Sequence, residues 1–173
     1  MRCFIAINLP DDVRQKVEQV QEKLAGLFKG KFTKLEHLHL TLKFLGEIDE
    51  EQVEEVKKQL GEVEQDRVEA KLDKAGVFSP KFVKIIWLKV LGLDSLQQEI
   101  DEKLAGMFPK ENRFMSHLTI ARVKQVSDRQ RLLEEAEKIK LQDSFIVDRF
   151  YLIESILQPD GLVYNILAEY KLA

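Results

Sequence analysis

The sequence predicts an α+β chain, internally duplicated, that folds as two halves around a central cleft. Two observations carry this. Apolar runs with the two-residue period of strands alternate with stripes at helical spacing along the whole chain. Three markers also recur at nearly one offset. Glu22-Lys23-Leu24-Ala25-Gly26-Leu27-Phe28 returns as Glu102-Lys103-Leu104-Ala105-Gly106-Met107-Phe108, an offset of 80. His39-Leu40-Thr41-Leu42 returns as His117-Leu118-Thr119-Ile120, an offset of 78, and Pro80 and Pro159 lie 79 apart. Self-similarity of this kind marks a repeated structural unit. The units cover about 1–81 and 82–173 of one bilobal domain.

Taken in order, residues 3–9 read as a buried strand. Pro10, Asp11 and Asp12 open a helix, with acids beside its positive end. Val13, Val17, Val20, Leu24 and Leu27 carry one apolar stripe to about residue 28. Gly30 and its lysines read as a loop, and 37–45 as the first histidine strand. A helix over 50–60 buries Val53, Val56 and Leu60. Residues 67–78 and 82–91 read as strands joined by a Ser79-Pro80 turn. The pattern then restarts. Asp94 is the expected N-cap of a helix carrying Ile100, Leu104 and Met107. Residues 114–124 hold the second histidine strand, and 128–140 a helix with Leu132, Leu133, Ala136 and Ile139. Residues 144–158 read as one long strand, Pro159-Asp160-Gly161 as a turn, and 162–171 as the final strand. Under a pseudo-two-fold axis the first and last strands share one half and the middle strands the other, which brings His39 and His117 face to face.

The bulk properties narrow the function classes. The 173 residues are 45% hydrophobic and 33% charged, enough for a sizeable core under a solvated surface. A formal charge of −3 supplies no global field for nucleic acid, so any RNA contact must use local positive charge. Lys29, Lys31, Lys34, Lys43, Arg113, Arg122 and Lys124 cluster around the two histidine frames and could form such a rim. Cys3 is the single cysteine, which excludes an internal disulfide and a cysteine zinc cluster. No signal peptide is expected from the opening residues, and no apolar run approaches the ~20 residues of a membrane span. The expectation is a cytoplasmic monomer with no obligate protein partner.

Residues two apart in a strand share a face, so each frame aims an imidazole and a hydroxyl the same way. Two imidazoles on opposite sides of a phosphate can divide an in-line displacement. One, neutral, takes a proton from water; the other, protonated, gives one to the leaving oxygen. Thr41 and Thr119 would hydrogen-bond the non-bridging oxygens, and Arg122 would bind them with charge assistance. No metal or other cofactor is required. A ribose 2′,3′-cyclic phosphate suits this apparatus, being strained, monoanionic, and in need of one base and one acid. A three-histidine metal site from His37, His39 and His117 is the weaker reading, because it needs no threonines and Met115 stands where His37 would repeat.

The runs His39-Leu40-Thr41-Leu42-Lys43-Phe44-Leu45-Gly46 and His117-Leu118-Thr119-Ile120-Ala121-Arg122-Val123-Lys124 closely resemble the two signature motifs of the two-histidine (2H) phosphoesterases. The match is to the LigT-like branch, the RNA 2′,3′-cyclic phosphodiesterases also called 2′-5′ RNA ligases. The opening strand, motif spacing and length extend the resemblance to essentially the whole chain. It implies a bilobal α+β arrangement of two antiparallel sheets flanked by helices. It implies His39 as proton donor to the leaving 3′ oxygen, His117 as proton acceptor from water, Arg122 as a phosphate ligand and Phe44 as a stacking surface for a base. The implied partner is RNA with a 2′,3′-cyclic phosphate end, tRNA-derived ends among them, and the product a 2′-phosphate.

Phe44 and Arg122 each stand five residues after their histidine. Strict alternation puts both on the opposite strand face and turns Lys43 and Ala121 toward the cleft, so the implied roles need the strands to end, twist or bulge there. Alternatives stay open: 2′-5′ ligation by the reverse reaction, another substrate (a small cyclic nucleotide, a 2′-5′ oligonucleotide, ADP-ribose 1″,2″-cyclic phosphate), or a non-catalytic RNA-binding module.

Overall fold

A computed structural model describes all residues, 1–173. The first unit runs β1 (Arg2–Asn8), α1 (Asp11–Leu24), β2 (Lys29–Phe32), a 3-10 turn (Leu35–His37), β3 (His39–Glu47), α2 (Glu50–Gly61) and β4 (Val68–Val77). The second runs β5 (Ile85–Leu91), α3 (Asp94–Leu104), β6 (His117–Gln125), α4 (Arg129–Glu137), β7 (Ser144–Val147), β8 (Arg149–Gln158) and β9 (Gly161–Lys171).

The strands form two antiparallel sheets. Sheet one is four-stranded, in the order β3-β1-β8-β9; sheet two is five-stranded, in the order β2-β6-β5-β4-β7. First and last strands therefore share one sheet and the middle strands the other, as duplication requires. The helices cross over. α1 packs on α4 and reaches β6, while α3 packs on α2 and reaches β3. Each unit thus lays its first helix against the other unit's histidine strand.

One continuous core joins the halves. Val13, Val17, Val20 and Leu24 of α1, Val53, Val56 and Leu60 of α2, and Leu96, Ile100 and Leu104 of α3 are all buried against Ile5, Ile7, Leu40, Leu42, Leu88, Leu118 and Ile120. Each such side chain contributes about 1.5–3 kcal/mol on burial. The opposite face of β1 carries a second, small cluster of Phe4, Ala6 and Ile153, with Tyr151 and Tyr164 against it. That face looks into the cleft.

Several boundaries differ from the sequence expectation. Residues 144–158 are not one strand: β7 pairs with β4 in sheet two, and β8 pairs with β1 in sheet one. The chain changes sheets at Asp148. The buried set slips phase there, from Phe145 and Val147 to Phe150 and Leu152, and the Arg149 guanidinium holds the Asp148 carboxylate at 3.0 Å. Residues 29–32 are not a loop but the edge strand β2. Gly30 fits there because a Cβ would lie 2.1 Å from the Arg122 carbonyl oxygen. Asp94 is not the N-cap of α3. Buried Leu93 occupies that place after Gly92 at φ +99°, and Asp94 stands one position inside, where its carboxylate faces the helix dipole. His37 lies in the 3-10 turn rather than in the strand. α1 stops at Leu24, and Gly26 at φ +83° turns the chain so that Leu27 and Phe28 pack as loop residues.

Candidate functional site

The two histidine strands approach one another where the two sheets meet. His39 opens β3 and His117 opens β6, and their rings are held alike. His39 Nδ1 is 2.8 Å from the His37 carbonyl oxygen, and His117 Nδ1 is 2.9 Å from that of Met115. A carbonyl only accepts, so each Nδ1 carries the proton and donates it, which leaves each Nε2 as the exchangeable nitrogen. The tether is backbone at the position two before each histidine. The change from His37 to Met115 is therefore without consequence for it.

Alternation fails in both strands at the same place. In the pairing of β1 with β3, Ile5 faces Lys43 and Ala6 faces Thr41, so Leu42 is left over. In the pairing of β5 with β6, Ile86 faces Ala121 and Trp87 faces Thr119, so Ile120 is left over. Each extra residue is a β-bulge that returns the following side chains to the histidine face. Two successive residues are buried in each strand, Leu42-Lys43 and Ile120-Ala121, and Phe44 and Arg122 emerge exposed. Phe44 is 67% exposed, and its ring lies 6.1 Å from Phe4, which itself stacks on His39.

Lys43 and Ala121 accordingly do not face the cleft. Ala121 is buried, and Lys43, 3% exposed, makes a 2.5 Å ion pair with Asp101 of α3 and a 2.7 Å bond to the Pro109 carbonyl. Lys43 is thereby removed from the basic rim, while Lys29, Lys31, Lys34, Arg113, Arg122 and Lys124 stay exposed. Lys31 pairs directly with Arg122 across β2 and β6. Cross-strand partners share a face, so two cations lie side by side, an arrangement that costs stability until an anion lies between them.

The two imidazoles have different neighbours. Phe4 stacks on His39 at 4.8 Å, and the Tyr164 ring stands edge-on to it at 5.1 Å and to His37 at 5.2 Å. Burial pushes the His39 pKa below the ordinary 6.5. The bond to the His37 carbonyl opposes this, and positive charge on His37 and Arg14 adds to it. Arg14 of α1 is anchored by the Leu9 and Leu35 carbonyls. His117 meets the edge of Phe78 at 5.1 Å, and Phe78 leans on Trp87 at 5.6 Å. Trp87 lies flat on Gly76, where a Cβ would be 2.6 Å from its ring. Burial raises the Tyr164 phenol, while Arg122 of the other sheet lowers it, so the guanidinium acts across the cleft. Phe4, Arg14, Phe78 and Tyr164 were missed by sequence reasoning. They sit on strands or helices remote from the motifs, and only the packed fold brings them to the imidazoles.

A duplicated two-sheet fold with one His-x-Thr strand in each sheet places the chain in a class of phosphoesterase. Residues 7–87 and 91–164 match the family described as LigT like Phosphoesterase. An RNA 2′,3′-cyclic phosphodiesterase of Methanocaldococcus jannaschii is 34% identical, over 98% of this chain and 100% of its own. One of Thermotoga maritima is 32% identical, over 98% of this chain and 94% of its own. Escherichia coli LigT complexed with phosphate superposes with a TM-score of 0.76 at 26% identity, over 99% of this chain and 96% of that one. TT0787 of Thermus thermophilus superposes with a TM-score of 0.83 at 24% identity, over 99% and 97%. The chain belongs to the LigT-like phosphoesterase family.

Proposed function

We propose that this protein hydrolyses RNA 2′,3′-cyclic phosphate ends to 2′-phosphomonoesters, using two histidines and no metal. The observation that carries the reading is the matched pair of tethered imidazoles, each with Nε2 free and each followed by a bulge that turns an exposed side chain, Phe44 or Arg122, to its face. Relatives named RNA 2′,3′-cyclic phosphodiesterase at 29–34% identity over nearly the whole chain support the substrate class.

In the proposed step, water attacks phosphorus opposite the 3′ oxygen. Its proton passes to His117 Nε2 as the new P–O bond forms. The P–O3′ bond breaks as His39 Nε2 gives its proton to O3′. The product carries a 2′-phosphate and a free 3′-hydroxyl, and the two imidazoles reset by exchange with solvent. Burial favours the neutral form of His39 in the free protein, and the phosphate anion would favour its charging on binding, as the donor role requires. The hydroxyls of Thr41 and Thr119 would donate to the non-bridging oxygens. Arg122 with Lys31 would neutralise them, and exposed Phe44 would stack the terminal base. The two cations would supply the charge that a metal would otherwise bring. With a 5′-hydroxyl in place of water, the same steps would join ends by a 2′-5′ linkage and free the 3′-hydroxyl, and in dilute RNA hydrolysis prevails.

The test is incubation with an RNA ending in 2′,3′-cyclic phosphate, with and without EDTA. Conversion to the 2′-phosphate at an unchanged rate in EDTA is expected. A 3′-phosphate product, or loss of turnover in EDTA, would overturn the reading.

A further inference from the structure

The duplication has a consequence at the two helices that cross between the units. The Glu22–Phe28 and Glu102–Phe108 match extends one residue back, to Gln21 and Asp101. Both are polar, both lie on the apolar face of their helix, and both are buried, at 7% and 5% exposure. Neither is used by the chemistry proposed above.

Each reaches the other unit's histidine strand at the bulge. Gln21 Nε2 donates to the Ile120 carbonyl at 3.0 Å, and Ile120 is the extra residue of β6. The same nitrogen donates to the Thr33 carbonyl at 3.0 Å, in the segment that leads into His39. Thr33 adds two bonds of its own, from N–H to the Ile120 carbonyl at 3.0 Å and from its hydroxyl to the Thr119 carbonyl at 2.8 Å. Asp101 accepts from Lys43 Nζ at 2.5 Å, and Lys43 is the residue after the extra one in β3. Its other oxygen accepts from Gln97 at 3.1 Å and from the Glu111 N–H at 2.8 Å, in the segment that leads into His117.

The two sets do one thing twice. Each ties the approach to one histidine to the bulged strand of the other. We infer that Gln21 and the Lys43–Asp101 pair are positioning residues that set how His39 and His117 face each other, so that both imidazoles address one phosphate. A buried amide and a buried ion pair are costly ways to join a helix to a strand where an apolar contact would serve. What they add is direction: a hydrogen bond fixes the bulge in one register, and the bulge aims Arg122 or Phe44. The inference rests on the two-histidine reading above.

The test uses variants that should fold. Replacing a buried ion pair by apolar residues of similar volume is commonly neutral or stabilising, so Lys43→Met/Asp101→Leu and Gln21→Met are compared with wild type by melting temperature and by turnover on the cyclic phosphate. The expected result is retained folding, KM little changed, and kcat lower by about 10- to 100-fold, the scale of an ångström's misplacement. A kcat within about twofold of wild type in both folded variants would overturn the inference. A second arm needs no turnover. Inorganic phosphate is titrated into the 15N-labelled protein, and the two imidazole signals are followed. In wild type both should move together with one dissociation constant, and in the variants they should separate. If wild type cleaves no cyclic phosphate, the functional reading fails and this arm alone decides. Imidazoles that move together in the variants as in wild type would overturn the inference.

Discussion

The His39 lobe and the His117 lobe share a tetrapeptide, a carbonyl tether and a bulge, yet differ in all that surrounds them. His39 is stacked on Phe4, edged by Tyr164 and near Arg14, and burial lowers its pKa. His117 meets only the edge of Phe78 among the aromatic rings. The bulge of β3 delivers an aromatic surface, Phe44; that of β6 delivers a cation, Arg122. One strand is pinned by an ion pair and the other by an amide. Duplication accounts for two imidazoles with the same tether and bulge, and divergence after it accounts for the different parts we assign them.

The largest effects should come from breaking the shared elements. His39→Ala and His117→Ala should each lower kcat on a cyclic phosphate end by about 10²–10⁴-fold, the usual contribution of one acid or base. The melting temperature should scarcely move. Turnover within tenfold of wild type in either variant would remove that histidine from the mechanism.

Next come the residues the bulges deliver, where the lobes should respond differently. Arg122→Ala should lower kcat/KM by roughly 10²-fold, through kcat, because it removes charge stabilisation at phosphorus. Phe44→Ala should raise KM by an amount equivalent to about 1–3 kcal/mol of lost base stacking, and leave kcat near wild type. Steady-state kinetics on one oligonucleotide separate the two patterns. Equal changes in kcat for both would erase the distinction.

Stability should distinguish the two pins. Asp101→Ala leaves the Lys43 ammonium buried and unpaired, and should cost about 3–5 kcal/mol in denaturant unfolding. Gln21→Ala leaves the Ile120 carbonyl its bond from the Thr33 N–H but strips the Thr33 carbonyl of its donor, and should cost about 1–3 kcal/mol. Burial alone would raise the Asp101 pKa. Its bonds from Lys43, Glu111 and Gln97 outweigh burial and hold it below the usual 3.8. Its contribution is therefore present above pH 3.8 and is lost as pH falls through the lower native value. Wild type should lose stability in that acid range, and a Lys43→Met/Asp101→Leu protein should lose less.

The smallest expected effect is on His39 itself. A depressed native pKa means that stability from this group is present above pH 6.5 and falls as pH drops through the native value. Phe4→Ala admits water to the ring and should move its titration back toward 6.5, read by 15N NMR. A titration unmoved by Phe4→Ala would show that the stacked ring is not what buries the imidazole.

Much of this arrangement was legible in the sequence because it repeats. The offsets near 79 exposed the duplication, and duplication placed the outer strands in one sheet and the middle strands in the other. The His-x-Thr frames are local, so period-two alternation sufficed to put hydroxyl and imidazole on one face. The bulges were inferable only as one of three ways, with a strand end or a twist, to turn Phe44 and Arg122, since nothing local in Leu42-Lys43 or Ile120-Ala121 marks a missed pairing. β2 was hidden because Lys29-Gly30-Lys31 has no apolar pattern, and an edge strand needs little. The break at Asp148 left a trace, the phase slip between Val147 and Phe150, that a single apolar run concealed. Nothing local marks Gln21 or Asp101, because their partners lie 99 and 58 residues away.

The division of labour between the lobes is tested most directly by a cyclic phosphate whose 3′ oxygen is replaced by sulfur. A thiolate leaves with little need of a proton, so the acid becomes dispensable and the base does not. His39→Ala should recover most of its lost rate on this substrate, and His117→Ala should stay inactive. Recovery by His117→Ala instead, or equal defects in both variants, would contradict the assignment.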